Sequence, residues 1–316
     1  MRWYTVRQGS TADSSIRSSA GVSVVGYRNQ AGANCRKGGK MTADRRFEGR
    51  VALITGAARG MGRAHALGFA REGAALAVCD VCTDIPTAPY PGPRPQDLDE
   101  TVRLCEEAGA TVTSAIFDIR DRDAVEKFAC DSASELGPID ILVANAGIFA
   151  FAPLTELTYE HFDAVIDINL GGVFNVVKAV MPRMMERRAG RVITIGSTAG
   201  LVGSTNVVPY GTAKHAVVGM TRCLALEGAQ HGVTANCVCP GMVRTQMLEN
   251  DSFFELLRPD DPGRSQAIEL MKEMNAIPEP WVEPEEITSM VLFLASDAAA
   301  HITGAEMKVD LGFTTA

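Results

Sequence analysis

A chain of 316 residues with 46% apolar and 22% charged side chains has enough apolar mass for a sizeable buried core. Its net charge of −8 argues against a nucleic-acid footprint, which needs a clustered basic surface. No apolar run reaches the roughly 18 residues of a membrane span, and neither a nucleic-acid nor a membrane partner is expected.

Residues 1–40 carry seven Arg/Lys against the single acid Asp13, a balance of +6 that leaves −14 in the remainder. An acid-poor, Arg- and Ser-rich head reads either as a transit segment or as a disordered extension upstream of a start at Met41. The second is the expectation for 1–46, because MTADRRFEGRVALITG reads like the start of a domain that then runs over 47–316.

From Arg50 short apolar runs alternate with longer amphipathic ones. VALIT (51–55) predicts a buried strand and MGRAHALGFAREG a helix, followed by a second strand AALAVCD (74–80). A proline-rich insertion at about 83–99 interrupts the alternation before a helix near 97–108 and a strand over 111–118. DAVEKFACDSASELG is helical, and IDILVANAG (139–147), RVITIGS (191–197) and VTANCVCPG (233–241) are apolar strands. Helical patterns fill 158–188 and 209–231, and EMKVD (306–310) closes the series. Strands apolar on both faces, alternating with helices, predict a single-domain doubly wound α/β fold: a parallel sheet with helices on both faces. Between the sixth strand and the last helix, residues 246–283 include Phe253, Phe254, Leu256, Met271 and Met274, which read equally as a substrate lid or as the core of a small helical pair.

Eight cysteines, among them Cys79 and Cys82 in a C-x-x-C and Cys237 and Cys239 on one strand, lack the matched spacing of a metal site. Reduced, mostly buried thiols in a cytoplasmic protein are expected, with no metal.

Two constellations carry chemistry. TGAARGMG places Gly56, Gly60 and Gly62, with Arg59 and Met61 between them, where the first strand passes into the first helix. Glycines there allow close backbone approach, and the helix N-terminus offers free N–H groups to a pyrophosphate. Asp80 ends the second strand, where a carboxylate accepts hydrogen bonds from ribose hydroxyls and repels a 2′-phosphate, favouring NAD; its plainer reading is a strand-ending turn residue. Tyr210 and Lys214, at i and i+4, share one helix face, and the cation is expected to favour the phenolate of a tyrosine general base. Ser197 can bind the substrate oxygen, and Asn169 can hold a water that links Lys214 to solvent. Taken singly, these are a helix pair, a strand-end cap and a polar helix residue. GSTAG is no nucleophile elbow, because position 195 is Ile.

TGAARGMG, ANAG (144–147), Asn169, Ser197, YGTAK and PGMVRTQM (240–247), in this order, resemble the short-chain dehydrogenase/reductase family over about 47–316. The resemblance implies a Rossmann-type oxidoreductase with Tyr210 as base, Lys214 as activator and ribose ligand, Ser197 on the substrate oxygen and Asn169 on a water. It implies a cofactor set of Gly56, Arg59, Gly60, Met61, Gly62, Asp80, Asp118, Ile119, Asn145, Ala146, Gly147, Tyr210, Lys214, Pro240, Gly241, Val243 and Thr245. Asp118 and Ile119 would flank the adenine, Asn145 would lie under the ribose, and Val243 and Thr245 would meet the nicotinamide amide. Ala144 departs from the commoner NNAG pattern and removes one polar side chain.

The proline-rich insertion and the stretch PEPWVEPEEITSMVLFLASD (278–297) resemble the mycofactocin-associated branch, which includes carveol dehydrogenases. That resemblance implies NAD that stays bound and a separate redox peptide cofactor as electron acceptor. A preordered proline flap over the adenosine half supplies a physical basis, against a plain spacer or oligomer contact. An apolar lid suits a hydrophobic alcohol or ketone of terpenoid or steroid type, and the family's helices imply a homotetramer. The rival readings are a 3-oxoacyl or carbonyl reductase with freely exchanging NAD(P)H, and a non-catalytic NAD-binding regulator.

Overall fold

The computed structural model describes residues 45–257 and 263–315. The expectation for residues 1–46 therefore falls almost wholly outside the described residues, as do five positions of the 246–283 segment.

Seven parallel strands form one sheet: β1 (Val51–Thr55), β2 (Ala75–Asp80), β3 (Val112–Ile116), β4 (Ile139–Ala144), β5 (Gly190–Ile195), β6 (Val233–Pro240) and β7 (Glu306–Val309). Their order is β3-β2-β1-β4-β5-β6-β7. The chain winds one way from β1 to β3 and the other way from β4 to β7. The connections leaving β1 and β4 therefore diverge, which opens a crevice at the carboxyl ends of these two strands.

The apolar runs are explained by cover on both faces. In β1, Val51 and Leu53 join the core under α3 (Arg122–Leu136), α5 (Val173–Arg187) and α6 (Val208–Ala229). Ala52 and Ile54 join the core under α1 (Gly60–Arg71), α2 (Pro95–Glu107) and α9 (Pro284–Ala295). Each fully buried Leu or Ile contributes about 1.5–3 kcal/mol. Gly68 lets α1 lie against α9, since a Cβ there would stand 2.6 Å from the Thr288 methyl.

The helical stretch expected over 158–188 is not uniform. Helix α4 (Tyr159–Ile166) passes through a π-helical turn, Asp167–Gly172, into α5. Gly172 is needed there, because a Cβ would come within 2.4 Å of the Ile119 side chain. By length and composition Tyr159–Arg187 is apolar enough to cross a membrane, but 56% of its most apolar window is buried in the fold. Packing against β4, β5 and α3 accounts for that apolarity.

The insertion after β6 forms two short helices, α7 (Asp251–Leu257) and α8 (Arg264–Met274). They enclose a third apolar cluster in which Phe253, Phe254, Ala267 and Met271 meet Phe149 and Val207. The segment thus forms the core of a small helical pair, and Tyr210 packs against the same cluster.

Candidate active site

At the crevice, β1 ends at Thr55 and the backbone turns through Gly56 (φ +67°) and Gly60 (φ +54°) into α1. These angles fall where side chains are disfavoured. A Cβ on Gly62 would lie 2.0 Å from the Gly56 carbonyl oxygen, and one on Gly56 would lie 2.8 Å from the Ala146 Cα. The first turn of α1 carries no acidic side chain, so its N–H end suits an anion.

Asn145 braces the turn from β4 by donating to the carbonyls of Thr55 (2.9 Å) and Gly56 (3.2 Å). Its Oδ1 is buried without a hydrogen-bond partner. A ligand hydroxyl would satisfy that acceptor, so the residues present fit a ribose here.

Asp80 accepts from the Ala58 N–H (2.9 Å) and the Val81 N–H (2.7 Å). Burial pushes its carboxyl up, opposed by these backbone bonds and by the Arg59 guanidinium. It therefore shapes the strand end while also facing the crevice. Burial also pushes the Asp118 carboxyl up, but two-pronged bonding from Arg120 holds it below the usual carboxylate range.

A cavity of about 430 Å³ occupies this crevice. Its walls bring together Gly56, Arg59, Gly60, Met61, Gly62, Asp80, Asp118, Ile119, Asn145, Ala146, Gly147 and Thr245. Pro240, Gly241, Val243, Tyr210 and Lys214 are not among its walls. Val243 is 4% exposed, bridges to Val282 and packs into the α1–α9 core, so its apolar side chain serves that core. Gly241 instead permits close passage of Asp310, whose Cα would lie 2.9 Å from a Cβ.

The proline-rich segment forms one wall of the same cavity through Ile85, Ala88, Tyr90, Gly92 and Pro93. It is internally tied, since Asp84 accepts from the Gly92 N–H (2.8 Å) and pairs with Arg94. The Arg59 guanidinium, rooted in the glycine turn, donates both to the Pro91 carbonyl and to the Gln246 side chain. One cation thus joins the segment after β2 to the segment after β6.

Beside this cavity lies the second constellation. Ser197 follows β5 and caps a short turn, its Oγ accepting from the Ala199 N–H at 3.1 Å. Tyr210 is in the first turn of α6, with Lys214 one turn later. Burial pushes the Tyr210 phenol up to about 12, opposed by a hydrogen bond with Ser197. The expected downward pull of Lys214 does not show: an enclosed phenolate loses its hydration, and the bond with Ser197 is what opposes that loss. Burial also pulls the Lys214 ammonium down to about 8, although the nearby Cys237 and Cys239 thiols favour its charge.

Asn169 sits in the π-turn with its amide turned to the loop after β4. Its Oδ1 accepts from the Ile148 N–H and its Nδ2 donates to the Ile148 carbonyl, both at 2.8 Å. These bonds anchor the loop beside Lys214, whose Nζ would lie 3.8 Å from a Cβ on Gly147. Seven of the eight cysteines are among the described residues, and all seven are free.

Residues 50–253 match the short chain dehydrogenase family model. The chain belongs to the short chain dehydrogenases, a family of oxidoreductases. It is 39% identical to (−)-trans-carveol dehydrogenase of Rhodococcus erythropolis, over 85% of this chain and 99% of that protein. Among solved structures it resembles carveol dehydrogenase from Mycobacterium avium in complex with NAD, with 37% identity and a TM-score of 0.84. That match covers 86% of this chain and 99% of the other. A short chain dehydrogenase from Mycobacterium paratuberculosis bound to NAD matches with 39% identity and a TM-score of 0.79, over 86% and 100% of the two chains.

In this dehydrogenase three residues went unread in the sequence. Arg63 ties the glycine turn to α2 through Thr101 (2.9 Å) and the carbonyls of Ala58 and Asp97. Phe149 stands edge-on to Tyr210, with ring centroids 4.8 Å apart. Tyr90 reaches Phe149 from the insertion. A lone aromatic among prolines was the one local signal for Tyr90.

Proposed function

We propose that this protein is an NAD-dependent dehydrogenase of a hydrophobic secondary alcohol, terpenoid- or steroid-like, with Tyr210 as general base. The observation that carries the reading is the position of the Tyr210 ring. It lies between the Lys214 ammonium, whose Nζ is 5.6 Å from the ring centroid, and the aromatic wall of Phe149, Phe151 and Phe253. A tyrosine base flanked by an apolar wall suits an alcohol whose other substituents avoid water.

Ser197 orients the hydroxyl, and Tyr210 accepts its proton as the phenolate, a form that the Lys214 ammonium and the positive ring of bound NAD would favour. Asn169 keeps the loop after β4 in place through Ile148. Gly56, Gly60 and Gly62 give close backbone approach for NAD, Asp80 and Asn145 offer acceptors to its ribose hydroxyls, and Asp118 and Ile119 border its adenine end. NAD, when bound, supplies the hydride acceptor and a positively charged ring. The NAD bound to the two mycobacterial relatives supports this cofactor.

The wall formed by the proline-rich segment, and the Arg59 link across to Gln246, support NAD that stays bound through turnover. A retained cofactor needs an external electron acceptor, and we assign that role to a mycofactocin-type redox peptide. Exposed Phe174 and Leu226 on α5 and α6 support a homotetramer, and the free thiols a cytoplasmic location.

The test is to purify the protein without added cofactor, dialyse it extensively, denature it and quantify NAD(H) per chain. The expected result is close to one equivalent, which is reduced on adding a hydrophobic cyclic secondary alcohol and is not reduced in Tyr210→Phe. Arg59→Ala is expected to lose most of the retained NAD. Little NAD in the wild type, with full activity restored by added NAD(P)H, would point instead to a carbonyl reductase with exchanging cofactor. Bound NAD with no turnover of any alcohol would point to a binding protein.

A further inference from the structure

Tyr90 belongs to the segment that walls the cofactor end, yet its hydroxyl accepts a hydrogen bond from the Phe149 N–H at 3.0 Å. Phe149 lies in the loop after β4, and its ring abuts the ring of Tyr210. Tyr90 also packs against the apolar cluster of Phe253, Phe254 and Met271. One side chain of the insertion therefore touches both halves of the site.

The loop carrying Phe149 is held at two adjacent residues. Asn169 brackets the Ile148 peptide groups, and Tyr90 takes the next N–H. The Phe149 residue is 9% exposed, so without Tyr90 its N–H would lose the acceptor it has in the fold. An unmet buried donor costs more than the same bond contributes when made. Relaxation of that peptide would turn the Phe149 ring away from its edge-on contact with Tyr210.

We propose that Tyr90 is a positioning residue: by holding the Phe149 backbone it sets the ring that abuts Tyr210, so the insertion covering the cofactor end also aligns the base at the catalytic end. The inference rests on the dehydrogenase reading above. Burial pushes the Tyr90 phenol up to about 12, and the bond from the Phe149 N–H opposes that shift, as a donor to the phenolic oxygen should.

The test compares Tyr90→Phe, Phe149→Leu and the double variant in the full chain. It uses steady-state oxidation of a hydrophobic cyclic secondary alcohol, NAD binding, and hydrogen exchange at the Phe149 amide. Tyr90→Phe keeps the ring and removes only the acceptor, and Phe149→Leu keeps the N–H and removes the ring. With one buried hydrogen bond lost, kcat should fall about tenfold in Tyr90→Phe while NAD affinity stays within about twofold. Exchange at the Phe149 amide should rise about tenfold by the same arithmetic. In the Phe149→Leu background, Tyr90→Phe should cost less than about twofold in kcat, since the ring that transmits the effect is gone.

An unchanged kcat, unchanged exchange at Phe149, or losses that multiply fully in the double variant would each overturn the proposal. A wild type without turnover would defeat the dehydrogenase reading instead. Exchange at Phe149 needs no turnover and would then decide the Tyr90 link by itself.

Discussion

The Lys214 ammonium donates to the Ile195 carbonyl at 2.7 Å, at the end of β5 and 4% exposed. Among the described residues, one carbonyl, the face of the Tyr210 ring and the nearby Cys237 and Cys239 thiols support this cation inside the fold. Burying an ammonium with so few partners costs stability, and it lies beside the tyrosine proposed above as the base.

Lys214→Met should lower alcohol oxidation by about 100-fold or more while raising the melting temperature. The folded pKa of about 8 lies below the ordinary value of 10.5. Below about pH 8 the full burial cost is present, and it is relieved as pH rises from there towards 10.5. The gain in melting temperature should therefore be largest near neutrality and shrink above pH 8. Thermal melts of both proteins across that range check it, and a variant that melts lower at neutral pH would refute the argument.

His65 should make the fold sensitive to acid. Its ring is fully buried between α1 and α9, with Nδ1 2.8 Å from the Thr288 hydroxyl and Nε2 unpartnered. Burial drags its pKa from 6.5 to about 3, so between these values the unfolded chain binds a proton that the folded chain refuses. Stability should fall as pH drops below 6.5, by at most about 1.4 kcal/mol per pH unit from this group. Urea unfolding at several pH values should show a shallower acid limb in His65→Leu. Equal slopes would mean that other groups dominate.

Asp80→Ala should have two separable effects. Leaving the Ala58 and Val81 N–H groups without their acceptor should cost about 1–3 kcal/mol of stability. Removing the carboxylate should also erode the preference for NAD over NADP by roughly tenfold or more, since its repulsion of a 2′-phosphate is gone. Cofactor titrations alongside denaturant melts separate the two. Lost stability with unchanged preference would leave Asp80 as a turn residue alone.

Much of the framework was legible because it is local. The strands were bounded to within a few residues, since an apolar run such as VALIT between polar flanks has few alternatives in a sheet covered on both faces. The start of α2 was read two residues late. Pro95 opens that helix instead of preceding it, as proline fits the first helical turn where no N–H is needed. The π-turn was hidden inside 158–188 because an inserted residue leaves apolar periodicity nearly intact while rotating Asn169 towards Ile148.

The chain's own order of residues was enough to specify the doubly wound sheet, the glycine turn into α1 and the shared face of Tyr210 and Lys214. Each follows from backbone sterics and periodicity over a few residues. The protonation of Tyr210 and Lys214, the burial of Val243 in the core and the links from Arg59 to Gln246 and from Tyr90 to Phe149 arise otherwise. These join positions tens to nearly two hundred residues apart. Desolvation and long-range hydrogen bonds exist only once the segments have packed, and spacing along the chain carries no record of them.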